Sequence, residues 1–366
     1  MAYPVNPAVL QTDIVEHGST FDHAILDFSA SIICQPLPLE KLLTGLELHR
    51  YPDSESTAFK SAAAGFTGLK VENILPGSGS SEIFLYLALA YINNESRVGA
   101  LEPAYGEYRR VTQLAGGTCL TFKLAENNDF KIDLQLLQEW VERERIDVFF
   151  LTNPNNPTGQ LLKQDDLLQL LAEFPRVLFI IDLAYHDYTG EKLDYRRLTA
   201  DNVFLVHSLT KNCGLAGLRC GFTSSTAENI MNLNRIRLPW NLNSLAQAAG
   251  CWVLENHALC LRKVSELKQE ADSLRNFIAG SGYSTIASQT DYFLVKCENP
   301  DFIASELLKR GIKVRNTASQ GLPGYLRITV KEPEQNLIFR QRWLEICVEI
   351  GCNQSLRLNC DKNKIR

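Results

Sequence analysis

The sequence predicts an α/β protein with a large domain built around a mostly parallel central sheet, followed by a smaller C-terminal α+β domain. Four short apolar runs predict buried strands, at Val98–Leu101, Asp147–Leu151, Val177–Ile181 and Val203–Val206. Segments such as Leu134–Arg145 and Gln164–Glu173 lie between these runs and carry apolar residues at helical spacing. Short buried strands that alternate with helices are typical of a parallel sheet covered on both faces.

A chain of 366 residues is long enough for more than one domain. Residues 1–44 contain several prolines that interrupt regular structure, and they predict an N-terminal arm. The large domain is predicted over residues 45–245. A long helical stretch at Ala246–Ala279 opens the small domain, predicted over residues 246–352, and residues 353–366 form a polar tail. Three β-rich runs follow that stretch, at Thr290–Lys296, Gly311–Arg315 and Tyr325–Val330.

The composition is that of an ordinary water-soluble protein, with 45% hydrophobic residues, 22% charged residues and a net charge of −5. This balance predicts neither nucleic acid nor an anionic membrane as a partner. No apolar run approaches the roughly 20 residues of a membrane span, and no signal peptide is recognisable, so we predict a cytoplasmic location. The ten cysteines show no CxxC spacing and predict reduced thiols. A metal site at Cys347, Cys352 and Cys360 is the less favoured alternative.

The strongest chemical signal is a lysine, Lys211, placed just past the run Val203–Val206. Ligands of open α/β sheets bind at the carboxyl ends of the strands, where this lysine would lie. Its amine, when neutral, can attack an aldehyde and move protons. The hydroxyls of Ser208 and Thr210 and the guanidinium of Arg219 suit a phosphate dianion. The alternative is a solvated lysine in a loop.

Two further features strengthen this interpretation. Asp182 ends the run Val177–Ile181, so a carboxylate is placed at the mouth of a buried strand, where it needs a cationic partner. A protonated pyridine nitrogen is such a partner, although a helix cap is the alternative. Gly77–Glu82 is a glycine-rich turn before an apolar helix, and free N–H groups at such a helix start bind phosphate.

The order of the motifs carries a resemblance to a known family. The motifs are Gly77–Glu82, Pro103–Tyr108, Asn153–Gly159, Asp182–Tyr185, Ser208–Lys211 and Gly217–Phe222. This set resembles the fold type I pyridoxal phosphate (PLP) enzymes of the class I and II aminotransferase superfamily. Within them the chain is similar to histidinol-phosphate aminotransferases and, more closely, to threonine-phosphate decarboxylases. The closer similarity rests on Leu26–Ala30, Arg50–Asp53 and Pro239–Ala246.

The resemblance implies pyridoxal 5'-phosphate as cofactor and a role for each matched residue. Lys211 would form the Schiff base, Asp182 would hold the pyridine nitrogen, Asn156 and Tyr185 would contact the ring hydroxyl, and Tyr108 would stack on the ring. The residues that would hold the cofactor phosphate are Ser80, Ser81, Ser208, Thr210 and Arg219, with Tyr51 from the neighbouring subunit. The role of Tyr51 implies a homodimer with shared active sites.

The matched substrate positions are two arginines. Arg327 would grip the substrate α-carboxylate and Arg315 would face the substrate, with a surface salt bridge as the alternative for either one. Two segments that bind substrate phosphate in threonine-phosphate decarboxylases differ here. An HGG-type segment is replaced by His17-Gly18-Ser19-Thr20, and an Asn-Ile-Asn-Pro segment by Ser31-Ile32-Ile33-Cys34. The usual glutamate after the ring aspartate is replaced by Leu183.

These departures disfavour a phosphorylated substrate. The arm is rich in acid and imidazole groups, namely Asp13, Glu16, His17, Asp22 and His23. An arm that covers the active site would therefore suit a cationic side chain such as a guanidinium, although a solvated acidic arm is the alternative. We take Glu16, His17 and Ser29 as substrate-binding candidates beside Arg327, Arg315 and Asn156.

The favoured function is that of a PLP-dependent lyase acting at the α-carbon of a non-phosphorylated L-amino acid. One concrete form is the cyclodehydration of a hydroxylated arginine to a cyclic guanidino amino acid in specialised metabolism. An aminotransferase of the histidinol-phosphate type is the first alternative, and threonine-phosphate decarboxylation is the second. A cofactor-binding transcription regulator is disfavoured because no DNA-binding module fits within the arm.

Overall fold

The computed structural model describes residues 5–33 and 37–350. The chain divides into two compact units. The large unit comprises Met1–Val15, Ile32–Asn156 and Gln160–Lys263, and the small unit comprises Glu16–Ser31, Pro157–Gly159 and Val264–Arg366. Cys34, Cys352, Cys360 and the predicted tail at 353–366 lie outside the described residues.

The helices are α1 (Pro7–Leu10), α2 (Leu39–Leu43), α3 (Thr57–Thr67), α4 (Ser80–Tyr91), α5 (Glu107–Leu114), α6 (Leu134–Arg143), α7 (Gln164–Glu173), α8 (Tyr195–Leu198), α9 (Ala227–Asn234), α10 (Ser244–Glu255), α11 (His257–Gly280), α12 (Pro300–Lys309) and α13 (Pro333–Glu349). The strands are β1 (Leu26–Asp27), β2 (Ile74–Gly77), β3 (Arg97–Glu102), β4 (Thr118–Lys123), β5 (Val148–Thr152), β6 (Leu178–Asp182), β7 (Val203–Ser208), β8 (Gly221–Ser224), β9 (Thr285–Ile286), β10 (Tyr292–Lys296), β11 (Ile312–Lys313), β12 (Arg315–Asn316) and β13 (Tyr325–Thr329).

The large unit contains the predicted sheet. Its strand order is β2-β8-β7-β6-β5-β3-β4, and β8 runs antiparallel to both of its neighbours while the remaining pairs are parallel. All residues of β5 and β7 are buried, as expected for strands that helices cover on both faces. The four strands predicted from apolar runs are thus confirmed, and they lie side by side.

Helices cover this sheet with aromatic side chains. A first cluster includes Phe84 of α4 and Phe150 of β5, and a second includes Phe59 of α3 and Phe222 of β8. Gly250 in α10 has no side chain, which leaves room for the ring of Phe59. Burying each such ring contributes roughly 1.5–3 kcal/mol, so these clusters hold α3, α4 and α10 on the sheet.

The single helix predicted over Ala246–Ala279 is wrong at one point. The structure has two helices, since α10 ends before Asn256 and α11 begins at His257. The side-chain amide of Asn256 donates to the carbonyl oxygen of Trp252 at 2.8 Å. Asparagine competes in this way for backbone groups, so it interrupts a helix that the apolar pattern alone would continue.

The small unit contains a four-stranded sheet in the order β12-β13-β10-β9, with antiparallel pairs throughout. All residues of β13 are buried. The predicted β run at Gly311–Arg315 is divided into β11, which pairs with β1, and β12, which pairs with β13. Trp343 of α13 is buried in this unit and donates from its ring nitrogen to the Ser281 hydroxyl at 2.9 Å.

The unit boundaries differ from the predicted domains in two places. The large unit extends past residue 245 to Lys263, because α10 packs on α3. Part of the predicted arm, Glu16–Ser31, belongs to the small unit, because Leu26 and Asp27 pair in register with Ile312 and Lys313. The alternation of apolar runs could not reveal either contact.

Within the described ranges, no helix is both long and apolar enough to cross a bilayer. The described cysteines carry free thiols, and those of Cys213, Cys220 and Cys347 are buried. Within residues 5–33 and 37–350, no group of three or more His, Cys, Asp or Glu side chains is arranged to hold a metal ion.

Candidate active site

Three polar residues lie together at the carboxyl edge of the large unit's sheet. Thr152, Asp182 and Ser208 are the last residues of β5, β6 and β7. The parallel register places Thr152 opposite Asp182 on adjacent strands, and the next strand pairs Val206 with Asp182. The edge predicted to bind a ligand therefore carries a carboxylate flanked by hydroxyl groups.

The carboxylate of Asp182 is buried, with only 4% of the residue exposed. It accepts hydrogen bonds from the Tyr108 hydroxyl at 2.7 Å and from the Ala184 backbone N–H at 2.9 Å. Burial raises the pKa of Asp182 to about 6, while these two hydrogen bonds and the charge of Lys211 act in the opposite direction. The site thus has a buried acid whose ionised form a bound cation would stabilise.

Tyr108 does not occupy the place predicted for it. Its ring is 1% exposed and lies parallel to Phe150 at 5.0 Å, and its hydroxyl is bound to Asp182 and Thr152. A ring that protein already covers in this way has no free face to stack on a cofactor. Tyr108 orients the carboxylate, and Thr152 donates to the Tyr108 oxygen because the single proton of that hydroxyl goes to Asp182.

Tyr105 is the tyrosine of this segment that faces the site. It is only partly buried, and it interacts with the hydroxyl of Ser81 and with the charges of Asp182 and Arg219. Burial raises its pKa to about 12, so its hydroxyl stays protonated near neutral pH. The motif alone does not single out Tyr105, because it contains two tyrosines three residues apart and does not show which one is buried.

Lys211 follows β7 in a turn that backbone hydrogen bonds close. Its carbonyl oxygen accepts from the N–H groups of Ile33 at 3.1 Å and Gly214 at 3.3 Å. The electrostatic influence of Lys211 on Asp182 places the two charged groups in one site. Lys211 and Asp182 therefore lie near the same edge of the sheet in the large unit.

The start of α4 forms a cradle for an anion. Its first N–H groups, at Ser80 and Ser81, have no side-chain cap. Gly79 has φ +77°, and a Cβ at this position would lie 2.5 Å from a guanidinium nitrogen of Arg219. The lack of a side chain thus brings the arginine against the helix start, where N–H groups, guanidinium and helix dipole all favour a phosphate.

Two hydroxyls belong to the same end of the sheet. The Ser208 and Thr210 side chains are buried and lie 2.5 Å apart, so one donates to the other. The carboxylate of Glu82 accepts from the N–H of Ser78 at 2.6 Å and from the amide of Asn241 at 2.7 Å, which fixes the glycine-rich turn. These residues fit the phosphate group of the predicted cofactor.

The predicted ring-hydroxyl contacts, Asn156 and Tyr185, are both buried in the large unit, at 6% and 5% exposure. The Asn153 side chain exchanges two 2.8 Å hydrogen bonds with the backbone of Leu162, and the amide of Asn155 donates to the Pro103 carbonyl at 3.0 Å. The first two asparagines of the motif therefore hold its loop.

Apart from Asn156, the predicted substrate residues belong to the small unit. Arg315 and Arg327 lie directly opposite each other on β12 and β13, and each is 6% exposed. Arg327 donates to the Ser29 carbonyl at 2.5 Å and lies over the Tyr292 ring at 4.9 Å. Arg315 forms a 3.1 Å ion pair with the Glu16 carboxylate and donates to the Glu16 carbonyl at 2.7 Å. Glu16 and His17 are otherwise exposed to solvent.

Tyr51 lies on the surface of the large unit, with 78% of the residue exposed. Its ring stacks on Trp240 at 4.3 Å with an interplanar angle of 19°. Trp240 is itself 45% exposed, and Leu48 and Leu238 are also exposed. Tyr51 therefore does not reach the site of its own chain as a buried residue would.

Comparison with known proteins decides which family has this arrangement. The aminotransferase class I and II model matches residues 29–342. The chain belongs to that family. A histidinol-phosphate aminotransferase of Thermoanaerobacter pseudethanolicus is 30% identical over 299 residues, which cover 81% of this chain and 84% of the relative. One of Clostridium novyi is 29% identical over 81% of this chain and 82% of the relative.

Solved structures of the family have the same fold. The histidinol-phosphate aminotransferase of Clostridium acetobutylicum aligns with a TM-score of 0.80 at 22% identity, covering 89% of this chain and 100% of that one. The L-threonine-O-3-phosphate decarboxylase of Porphyromonas gingivalis aligns at 0.78, with 23% identity and the same coverage. The Sinorhizobium meliloti histidinol-phosphate aminotransferase, solved with pyridoxal-5'-phosphate, aligns at 0.82 with 19% identity, covering 96% and 99%. The predicted family, fold and cofactor are confirmed.

Proposed function

We propose that this aminotransferase-family enzyme holds pyridoxal 5'-phosphate through Lys211 and acts on a non-phosphorylated L-amino acid, as a lyase that eliminates water and closes a ring. The single observation that carries the substrate class is the ion pair between Arg315 and Glu16. When bound, the cofactor supplies an electron sink that stabilises negative charge at the substrate α-carbon.

The geometry of the large unit supports a role for each residue proposed to hold the cofactor. Asp182 would pair with the pyridine nitrogen, because a buried carboxylate gains most from a cationic partner. Tyr105 replaces Tyr108 as the residue proposed to stack on the ring. Asn156 and Tyr185 are proposed to contact the ring hydroxyl. The phosphate would be held by Ser80, Ser81, Ser208, Thr210 and Arg219.

The pair of opposed arginines supports a substrate with one anionic group. Two guanidiniums directly opposite each other on one sheet repel, so both need anionic partners. Glu16 is the anionic partner of Arg315, and it opposes the lowering of the Arg315 pKa by burial. Arg327 is proposed to bind the substrate α-carboxylate. With Arg315 already neutralised, the pair does not favour an additional phosphate dianion.

Two details of the small unit agree with a non-phosphorylated substrate. The Ser31 hydroxyl, at the position of the altered Asn-Ile-Asn-Pro segment, donates to the Asp291 carboxylate at 2.7 Å. The hydroxyl proton of Ser31 is therefore not available for a hydrogen bond to a substrate phosphate. The side chain of Glu16 is 71% exposed, so its carboxylate can attract the cationic side chain of a substrate in addition to its ion pair with Arg315. Both details support an amino acid such as a hydroxylated arginine.

In the proposed reaction Lys211 moves the protons. Its neutral amine would remove the α-proton and then a β-proton, so that a γ-hydroxyl leaves as water and the substrate guanidine closes the ring. The net change is loss of one water molecule, with no oxidant or reductant.

The test is incubation of the holoenzyme with γ-hydroxyarginine in D2O, followed by mass spectrometry and NMR of the product. We expect a cyclic guanidino amino acid with deuterium at both the α- and β-carbons. Absence of deuterium at both positions would contradict the proposal. Lys211→Ala is expected to abolish the exchange, whereas exposed Lys192→Ala serves as the matched control.

An aminotransferase of the histidinol-phosphate type is the second candidate, and the names of the curated relatives favour it. It predicts a ketone that keeps the phosphate, and the aminated form of the cofactor, in a half-reaction with histidinol phosphate. The third candidate, threonine-phosphate decarboxylation, is favoured by one structural relative and predicts release of carbon dioxide. The same product analysis separates all three.

We also propose that the enzyme is a homodimer in which Tyr51 reaches the phosphate site of the partner. The exposed stack of Tyr51 on Trp240, with exposed Leu48 and Leu238, supports an interface here. Mixing inactive Lys211→Ala and Tyr51→Ala chains should restore activity, because a hybrid dimer has one site with both residues intact. Activity no greater than the sum of the two variants would argue against sharing.

A further inference from the structure

A small cavity lies inside the large unit, beside the segment that carries Lys211. Its volume is about 20 Å³, and its walls include Ser208, Leu209 and Asn212 from that segment. His207, which precedes Ser208 in β7, also lines the cavity, and His186, Asp187 and His257 supply polar groups from other elements of the same unit. A space of this size holds one water molecule and excludes larger ligands, since a water needs roughly 10–15 Å³ by this measure.

Three residues of the cavity wall each have a buried polar atom without a hydrogen-bond partner in the described part of the chain. The atoms are His186 Nδ1, His207 Nε2 and Asn212 Oδ1. These residues are only 7%, 8% and 7% exposed. An unpartnered buried polar atom costs about 1–3 kcal/mol, so three of them at one cavity indicate a missing polar ligand.

The neighbouring contacts determine what each atom can do. His186 Nε2 lies 3.0 Å from the Glu191 carbonyl, which can only accept, so this nitrogen carries the proton and Nδ1 accepts. The side-chain nitrogen of Asn212 donates to Asp187, so the other end of the amide, Asn212 Oδ1, is left as an acceptor. The remaining atom, His207 Nε2, can carry the proton of a neutral imidazole. Two acceptors and one donor complement the hydrogen-bonding groups of a single water molecule.

The carboxylate of Asp187 is the charged anchor of this group. It accepts from the Asn212 amide and, at 2.8 Å, from His257 Nε2. The side chains of Asp187 and His257 are both largely buried, with 16% and 15% of their surface exposed. Asp187 therefore holds one end of the Asn212 side chain from a different segment of the chain.

We propose that the cavity binds one water molecule, and that this water and Asp187 together position Lys211 by holding both ends of the Asn212 side chain. Asn212 is bonded directly to Lys211, so a fixed amide limits the movement of the lysine backbone. Asp187 and Asn212 are positioning residues, since they act through Lys211. The importance of that lysine rests on the proposed function, whereas the water site itself does not.

The first test is a crystal structure of the holoenzyme at a resolution that shows ordered water. We expect one water within hydrogen-bonding distance of His186 Nδ1, His207 Nε2 and Asn212 Oδ1. An empty cavity, or a metal ion in it, would overturn the proposal. This outcome does not depend on the reaction that the enzyme catalyses.

The second test replaces Asn212 by leucine, which has a similar size and no polar atoms. Amide hydrogen exchange of residues 209–215 should increase at least tenfold, and the pKa read from the visible absorbance of the bound cofactor should shift. The matched control is Asn202→Leu. It removes an amide that donates to the Leu171 and Phe174 carbonyls, before β7 begins. We expect that control to leave the exchange of residues 209–215 unchanged.

A milder variant protects the test against misfolding. His207→Phe removes the Nε2 atom but keeps a ring that can stack on Phe222, as the imidazole does at 4.4 Å. It should increase the same exchange by a smaller factor. Unchanged exchange and an unchanged absorbance pKa in both variants would refute the positioning role. Changed exchange without any turnover of amino acids would instead count against the proposed function alone.

Discussion

The hydroxyl of Tyr108 donates a 2.7 Å hydrogen bond to the carboxylate of Asp182, and both groups are buried. A proton donor lowers the pKa of a carboxylate, and here it opposes the effect of burial, which raises the pKa to about 6. The tyrosine predicted to touch the cofactor ring thus acts on the aspartate that is proposed to hold the ring nitrogen.

This relationship predicts how cofactor binding depends on pH. The affinity of the cofactor-free protein for PLP should fall as pH decreases through about 6, because the pairing needs ionised Asp182. The loss should approach tenfold per pH unit below that value. Tyr108→Phe should move the midpoint to higher pH by roughly one to two units, since a hydrogen bond to a charged group contributes about 1.5–3 kcal/mol and one unit corresponds to about 1.4 kcal/mol. Fluorescence titration at several pH values measures this, and Asp182→Asn corrects for titration of the cofactor phosphate. An unmoved midpoint in Tyr108→Phe would count against the role of the hydroxyl.

Gly79 provides a test of the phosphate cradle. Gly79→Ala should weaken PLP binding, because the new Cβ would lie 2.5 Å from the Arg219 guanidinium and because the backbone of Gly79, at φ 77° and ψ 167°, strains any L-residue by roughly 1–3 kcal/mol. Gly217→Ala is the control in the same segment as Arg219, since its Cβ would meet nothing within 4 Å. Equilibrium dialysis with PLP should show a reduction of tenfold or more for the first variant only. Equal affinities would mean that Arg219 is not part of the cradle.

The Arg315–Glu16 pair predicts substrate preference. Glu16→Gln leaves two opposed arginines with one anionic partner fewer. We expect a higher KM for a substrate with a cationic side chain, and relatively better binding of one with an acidic side chain. Competition assays with arginine and glutamate analogues measure both changes. Glu40→Gln removes an exposed carboxylate from α2 and should change neither. The same preference in Glu16→Gln and the unaltered enzyme would contradict the substrate proposal.

The buried imidazole of His207 should make the folded protein less stable at acid pH. Burial lowers its pKa to about 3, although Asp187 raises it, against an ordinary value of 6.5. Between these values the unfolded chain binds the proton and the folded chain does not. Stability is therefore lost as pH falls below 6.5, with a slope of up to about 1.4 kcal/mol per pH unit from this group. His207→Phe should flatten that part of the curve. Chemical denaturation between pH 7 and pH 4.5 tests this, and an unaltered slope would show that His207 does not contribute.

Much of the fold and of the cofactor site follows from local sequence. The apolar runs of β5, β6 and β7 are continuous because these strands are buried on both faces, so they can be recognised without knowing their neighbours. Asp182 ends such a run and Lys211 lies three residues past another, and parallel strands bring their carboxyl ends to one edge. The apolar runs and the order of the motifs were therefore enough to predict the strands of this sheet and the family.

Other features depend on contacts between distant segments. Tyr105 and Tyr108 are both tyrosines of one motif, and only the packing of Tyr108 on Phe150 decides which of them is covered. Glu16 pairs with Arg315, 299 residues away, and Asp187 holds Asn212 from another segment. A charged side chain pairs with whichever group the folded chain brings close to it, and the local sequence around that side chain does not specify the partner. The sequence by itself determined the fold, the family and the cofactor, while the tertiary structure decided which of the two tyrosines is covered and which charges are paired.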